Sequence, residues 1–121
     1  TKTAYPWGSE VGSNQANCAG CGSRWDGKQT APVTSFAANR FGLHDMSGNV
    51  WEWVEDCYHD SYAGAPEKAW PAWAAAGCDR RVLRGGSWDN GPDLLRSAGR
   101  DRNEPGDRIS NVGFRVARTL P

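Results

Sequence analysis

Apolar residues occur in short groups along this chain, and few of the groups keep a regular period. Residues 112–117 alternate most cleanly between apolar and polar or small side chains, which predicts a strand. Residues 81–84 read Arg-Val-Leu-Arg before two glycines and predict a second strand that enters a turn. Residues 49–54 place apolar side chains at both alternate and adjacent positions, and we favour a strand because several are β-branched or aromatic.

The remaining segments carry weaker patterns. Residues 32–38 permit a short strand, and residues 8–31 have no sustained period, as in a long ordered loop or in disorder. The spacing of Trp70 and Trp73 allows one helical turn within residues 60–79, which are rich in Ala, Pro and Gly. The pattern therefore predicts a loop-dominated α+β domain with a small antiparallel sheet and little helix.

Composition favours a compact, irregular fold. The chain contains 15 Gly, 7 Pro and 7 Trp, and glycine and proline supply the corners that a loop-rich chain requires. Each indole buries on the order of 200 Å², so the tryptophans would replace much of the missing aliphatic core. Disordered segments are poor in aromatic residues, which argues against disorder despite the mean hydropathy of −0.71.

Length and charge exclude several classes of function. A chain of 121 residues forms one domain at most and buries a modest core. Its 14 basic and 14 acidic residues balance, so bulk charge predicts no attraction to nucleic acid or to a membrane surface. No apolar run approaches the roughly 18 residues of a membrane span, and we find no signal peptide. We expect neither a nucleic-acid partner nor a membrane span in this chain.

Four cysteines fall as Cys18-x-x-Cys21, Cys57 and Cys78. A four-cysteine zinc site usually has two closely spaced pairs, and a thioredoxin-type redox pair follows a strand in a βαβ unit. The chain shows neither pattern, so we predict two disulfides, Cys57–Cys78 and Cys18–Cys21. Closing a loop of about 20 residues would add roughly 3 kcal/mol of stability. Disulfides imply an oxidising compartment, which favours an extracellular or cell-surface location.

Three sequence blocks carry a family resemblance. Residues 42–53 read Gly-Leu-His-Asp-Met-Ser-Gly-Asn-Val-Trp-Glu-Trp, residues 84–88 read Arg-Gly-Gly-Ser-Trp, and residues 113–117 read Gly-Phe-Arg-Val-Ala. In this order they resemble the C-terminal half of the formylglycine-generating-enzyme (sulfatase-modifying factor) domain. The resemblance implies a C-type-lectin-like fold and extends from Tyr5 to Arg118. We call the three stretches the signature blocks.

By the same resemblance, residues 1–121 would be the C-terminal portion of one such domain, without its N-terminal half. Either a longer protein has been trimmed or cleaved, or a partner chain supplies the remainder. The N-terminal half of the domain is then one expected partner. In the second block, the two glycines are expected to let the backbone turn tightly, while Trp88 fills the core beside Trp51 or Trp53.

Glu52 is a candidate calcium ligand. Simple alternation would turn its carboxylate toward solvent, whereas Ca²⁺ commonly combines carboxylates with backbone carbonyls of a turn such as Gly48-Asn49. The resemblance implies two structural calcium sites. The second would use Ser47, Gly48, Val50 and Glu52. The first would use Asn17, Cys18, Asp26 and Lys28, although the register at Asp26 departs from the enzyme pattern.

The resemblance also implies where catalysis would occur. The oxidases of the family hold copper(I) with two thiolates, a soft-ligand pair, shortly after the second signature block. This chain has no cysteine after Cys78, so we expect no bound copper and no formylglycine generation. Related sulfoxide synthases need a histidine triad for iron, and only His44 and His59 are present. We expect both histidines to be structural or exposed, and the chain to be non-catalytic.

Segment 88–111 resembles the variable region of diversity-generating-retroelement proteins, which use the same lectin-like scaffold. Those systems mutate template adenines, mainly in asparagine codons. Twelve residues of types reachable from such codons lie between framework residues, and we call them the displayed positions. They are Asp89, Asn90, Gly91, Asp93, Leu94, Leu95, Gly99, Asp101, Asp107, Ile109, Ser110 and Asn111.

The resemblance predicts a ligand-binding variable protein whose partner is an unidentified protein or cell-surface ligand. Two alternatives stay open: a non-diversified binding or structural domain, and a relative of the copper oxidases. The framework includes Arg96, Arg100, Arg102 and Arg108, followed by Arg115 in the third block. They would bond carbonyls and carboxylates that scarce regular structure leaves unpaired. Alternatively, the arginine cluster itself binds an anion.

Overall fold

The computed structural model describes residues 2–68, 71–74 and 76–118. Regular structure is sparse, as predicted, and loops connect the few elements. The strands are β1 (Trp51–Cys57), β2 (Arg81–Arg84), β3 (Asp101–Asn103) and β4 (Val112–Gly113), and one 3₁₀ helix spans Pro92–Leu95. Trp70, which would begin the expected helical turn, lies outside the described residues.

The four strands form one sheet in the order β3-β2-β1-β4. Strands β1 and β2 are antiparallel, with Glu52 opposite Arg84, and β2 and β3 are antiparallel as well. Strand β4 runs parallel to β1, with Trp51 opposite Val112. The sheet is therefore mixed, and the expectation of an antiparallel sheet holds for three of its strands.

The strand predictions succeed where a neighbouring strand covers the alternating residues. Strand β2 has the predicted bounds, and β1 begins two residues later than predicted and continues to Cys57. The prediction over 112–117 is wrong beyond Gly113, because Phe114 and Val116 are 75% and 86% exposed. Residues 32–38 form no strand. Alternation alone does not make a strand when no partner lies beside it.

The core is made mainly of small and aliphatic side chains. Of the described tryptophans only Trp51 is buried, at 3% exposure, and the others are half-buried. The prediction of an indole-dominated core is therefore wrong, and Trp88 does not fill the core. One cluster of buried residues comprises Tyr5, Ala16, Cys18, Cys21 and Leu95, and a second set on the sheet comprises Trp51, Val82 and Leu83.

Both predicted disulfides are present. Cys18–Cys21 lies inside the buried cluster, and Cys57–Cys78 ties the end of β1 to the segment before β2. The chain's four cysteines are all bridged. Among the described residues, no helix has the length and apolarity needed to cross a membrane.

Candidate functional site

Asn49 joins three distant parts of the chain at the first signature block. Its backbone N–H donates to the Asn17 carbonyl at 2.8 Å, and its own carbonyl accepts the Trp88 N–H at 2.9 Å. Its side-chain amide bonds both the N–H and the carbonyl of Ala31, at 2.8 and 3.2 Å. Asn49 has φ of 71°, a conformation that asparagine tolerates better than most residues. This residue therefore fixes the turn that precedes β1.

The first and second blocks contact each other through glycines. The Gly48 N–H donates to the Gly85 carbonyl at 2.7 Å. Gly85 and Gly86 have φ of +97° and +74°, so the conformational role predicted for the two glycines is confirmed. A Cβ atom on Gly86 would lie 2.7 Å from Leu95 Cδ1, so the close contact with the 3₁₀ helix requires glycine there.

Glu52 and Arg115 connect the first and third blocks. Arg115 Nε lies 2.7 Å from Glu52 Oε2, and its Nη2 lies 2.5 Å from Oε1. The same guanidinium donates to the carbonyls of His44 and Asp45. Hydrogen bonding to Glu52 raises the pKa of Arg115. The Glu52 carboxylate, which alternation would expose, is therefore paired with a bidentate arginine.

Because of this ion pair, the Glu52 carboxylate of the second expected calcium site is already engaged by Arg115. Ser47 and Gly48 are buried and Val50 is half-buried, but both Glu52 oxygens already accept hydrogen bonds from Arg115. A dication would have to share this carboxylate with a cation of the protein or displace it. The donor set as described therefore does not fit Ca²⁺ well, and calcium binding there stays a prediction.

The first expected calcium site is likewise occupied by protein contacts. The Asp26 carboxylate accepts the N–H groups of Gly20 and Gly22, each at 2.6 Å, and these bonds lower the pKa of Asp26. Asn17 Oδ1 accepts the Ser23 hydroxyl at 2.9 Å. No group of three or more His, Cys, Asp or Glu within the described ranges is arranged to hold a metal. Asn17, Cys18, Asp26 and Lys28 remain predicted ligands only.

We expect Glu52→Gln to lower the free energy of unfolding by about 1 kcal/mol in the presence of a chelator. The substitution removes the negative charge that pairs with Arg115 at this partly exposed site. Chemical denaturation in EDTA measures the change. Glu55→Gln is the matched control, since it removes the same charge from an exposed position of β1. A Glu52→Gln protein as stable as the wild type would contradict the ion pair. A stabilisation by Ca²⁺ that Glu52→Gln abolishes would instead support the second calcium site.

Both ends of segment 88–111 are anchored on the first signature block. The Trp88 N–H donates to the Asn49 carbonyl, and the Trp51 N–H donates to the Asn111 carbonyl at 2.8 Å. The Asn111 side-chain amide lies 3.2 Å from both carboxylate oxygens of Asp89. Segment 88–111 is therefore a long loop whose two ends lie next to each other, close to the start of β1.

Most of the displayed positions lie at the surface. The half-buried ones are Asn90, Gly99 and Asn111. The exposed ones are Asp89, Gly91, Asp93, Leu94, Asp101, Asp107, Ile109 and Ser110.

Leu95 is the exception among the displayed positions, and the prediction for it is wrong. Its side chain is 0% exposed and belongs to the buried cluster with Cys18 and Cys21. The 3₁₀ helix turns Leu95 inward while its neighbour Leu94 stays 44% exposed. Leu95 therefore holds segment 88–111 to the core and cannot contact a ligand.

Arginines support the backbone of segment 88–111, as predicted in part. Arg96 Nε donates to the Asp93 carbonyl at 2.9 Å. Arg84, which lies outside the predicted set of supporting arginines, donates to the Ser97 carbonyl at 2.8 Å. Arg108 is exposed and makes no hydrogen bond or ion pair with any residue that the structure describes.

Arg100 and Arg102 pack on aromatic rings instead of bonding carbonyls. The guanidinium carbon of Arg100 lies 4.9 Å from the Tyr58 ring centre and 4.4 Å from that of Tyr62, and Arg102 lies 4.5 Å from Tyr58. The sequence does not predict this stacking, because the tyrosines come from a loop about 40 residues earlier in the chain whose composition gives no period.

The two histidines occupy structural positions. His44 Nδ1 lies 2.8 Å from the Phe36 carbonyl. The His59 ring stacks on Trp73 with centroids 3.8 Å apart.

Comparison with known proteins accounts for the signature blocks. The family described as Sulfatase-modifying factor enzyme 1-like domain matches residues 1–120. The chain belongs to this family. A relative named Serine/threonine-protein kinase pkn1, from Chlamydia caviae, is 45% identical over 98% of this chain, which spans only 18% of that protein.

Two solved structures share the fold of this chain. The structure of PvdO from Pseudomonas aeruginosa matches with a TM-score of 0.78 and 40% identity, covering 88% of this chain and 39% of that one. Treponema denticola variable protein 1 matches with a TM-score of 0.67 and 34% identity, covering 84% of this chain and 34% of that one. The predicted loop-rich, C-type-lectin-like fold is confirmed.

Family membership does not decide whether a member is an enzyme. Two Mus musculus relatives, 34% and 33% identical over 93% of this chain, are named formylglycine-generating enzyme and inactive C-alpha-formylglycine-generating enzyme 2. This chain spans 33% and 36% of those proteins. Function must therefore be argued from this chain's own residues.

Proposed function

We propose that this chain is a ligand-binding module that presents segment 88–111 on a fixed scaffold, as a variable protein of a diversity-generating retroelement. The observation that carries the proposal is the placement of the displayed positions. Both ends of the segment are tied to the first signature block by backbone hydrogen bonds, and eight of the twelve displayed positions are exposed. Exposed side chains on an anchored loop can change without unfolding the scaffold.

Residue types in the segment support diversification. All twelve displayed positions hold Asn, Asp, Gly, Ser, Ile or Leu, and each of these is reachable from asparagine codons by changes at adenines. The likeness to Treponema denticola variable protein 1 supports the same proposal. The partner would be a protein or another cell-surface ligand, and the two disulfides favour an oxidising compartment such as the cell surface.

The alternative is a relative of the copper oxidases or another non-diversified family member. Its support is the similarity to proteins named formylglycine-generating enzyme. Against it, all four cysteines of the chain are bridged, so the chain offers no thiolate pair for copper(I). Incubation with copper(I) and a cysteine-containing sulfatase peptide tests the alternative, since formylglycine in the peptide would establish oxidase activity.

Sequencing of the gene's 3′ end across closely related isolates tests the proposal. We expect substitutions confined to template-adenine positions between the codons for Trp88 and Val112, with an imperfect repeat of this stretch nearby. Codon 95 should keep an apolar residue, because its side chain is in the core. A uniform sequence without a repeat would contradict diversification and leave a fixed binding module or an oxidase relative.

A further inference from the structure

A cavity of about 300 Å³ lies on the sheet beside Arg100, and the proposed function does not use it. The apolar part of its wall consists of Val54 and Val82 from β1 and β2, with the rings of Tyr62 and Trp73. This size is at the lower end of small-molecule sites. None of these residues is a displayed position, so the cavity keeps its chemistry if segment 88–111 varies.

The aromatic wall is held in place by backbone contacts to β1. The Trp73 N–H donates to Asp56 Oδ1 at 2.6 Å, and the Trp73 carbonyl accepts the Cys57 N–H at 3.0 Å. Trp73 also stacks on Tyr62 with centroids 6.5 Å apart. The loop that carries these rings is further tied to β1 by the Cys57–Cys78 disulfide. A ligand would therefore meet a largely pre-organised wall.

The polar part of the wall favours a single negative charge. Arg84 and Arg100 contribute two cations and Asp56 one anion. Arg84 donates one N–H to Ser97, and Asp56 accepts from Trp73, whereas Arg100 makes no hydrogen bond or ion pair in the described part of the chain. The guanidinium carbon of Arg100 instead lies over the rings of Tyr58 and Tyr62, which restricts the side chain and leaves its N–H groups available for a carboxylate.

We propose that this cavity binds a small monocarboxylate. The apolar body of the ligand packs against Tyr62 and Trp73, and its carboxylate pairs with the N–H edge of Arg100. A dianion fits less well, because the Asp56 carboxylate leaves the site with one net positive charge.

Titration with 3-phenylpropionate, followed by calorimetry and by saturation-transfer NMR, tests the proposal at 0.15 M salt, where exposed charges are screened. For a ligand of this size we expect a Kd on the order of 1 mM. The neutral isostere 3-phenylpropanamide is expected to bind at least about fivefold more weakly, because it cannot form the charge-assisted pair with Arg100.

Matched variants separate this site from general attraction by positive charge. Arg100→Gln is expected to weaken the acid at least about fivefold, while Arg108→Gln, which removes an exposed arginine of the same segment, leaves the Kd unchanged. Three outcomes would overturn the proposal. The acid and the amide could bind with equal affinity, or neither could bind at about 10 mM, roughly ten times the expected Kd. The third outcome is an equal loss of acid affinity in the two variants. If Arg100→Gln does not fold, the acid-to-amide comparison on the wild type decides alone.

This test is independent of gene diversification. A uniform gene with selective acid binding would remove the retroelement proposal and keep the carboxylate site. A diversified gene without selective acid binding would do the reverse.

Discussion

Leu95→Ala is expected to lower the free energy of unfolding by about 2–5 kcal/mol, because it leaves a cavity in a core that has few aliphatic residues. Leu95 is fully buried in the same cluster as the Cys18–Cys21 disulfide, and its methyl carbons lie 3.1 and 2.7 Å from the positions that Cβ atoms on Gly48 and Gly86 would take. Chemical denaturation of the purified variant measures the loss. Such a loss is a large part of the 5–15 kcal/mol that stabilises a typical domain.

The adjacent leucine provides the control. Leu94 has the same side chain and the same 3₁₀ helix but is 44% exposed, so Leu94→Ala should cost less than about 1 kcal/mol. Similar losses at the two positions would show that Leu95 is not the residue that anchors the segment. The comparison also decides which of the two leucines a diversified protein is free to change.

Gly48→Ala is expected to cost about 2–5 kcal/mol, as the sum of two effects. An alanine at the observed φ of +85° is strained by about 1–2 kcal/mol. Its Cβ would also lie 2.6 Å from the Asn17 carbonyl oxygen, and relieving such overpacking typically costs about 1–3 kcal/mol. That oxygen accepts the Asn49 N–H, so its movement would disturb the hydrogen bond that holds Asn17 to the first signature block. Thermal and denaturant unfolding measure the loss.

Gly42→Ala isolates the backbone strain. Gly42 has a φ of +76°, and no atom lies within 4 Å of the position that its Cβ would take. It should therefore show only the strain of about 1–2 kcal/mol. If Gly48→Ala cost no more than Gly42→Ala, the close approach of Gly48 to Asn17 would not be a constraint on the fold.

The sequence predicted those parts of the candidate site that depend on residue identity within one block. The glycines of the second block are needed for their conformation wherever the block lies, and β2 has enough β-branched and aliphatic character to be recognised locally. The disulfide pairing followed from the spacing of only four cysteines. In contrast, the position of Glu52 in an apolar run was ambiguous, because it fitted either solvent exposure or a metal ligand. Its actual partner, Arg115, lies 63 residues away in the chain.

By itself, the sequence determined the family, the loop-rich fold class, the two disulfides and a segment, 88–111, whose displayed positions lie mostly at the surface. These follow from motifs, cysteine spacing and composition, which are local properties. Only the tertiary structure decided that Leu95 is buried beside exposed Leu94, that Phe114 and Val116 have no strand beside them, and that Arg100 packs on two tyrosine rings. Each of these three features depends on which distant segments of the chain come into contact. The burial of a side chain and the pairing of a strand are set by that contact, and not by the residues adjacent in the sequence.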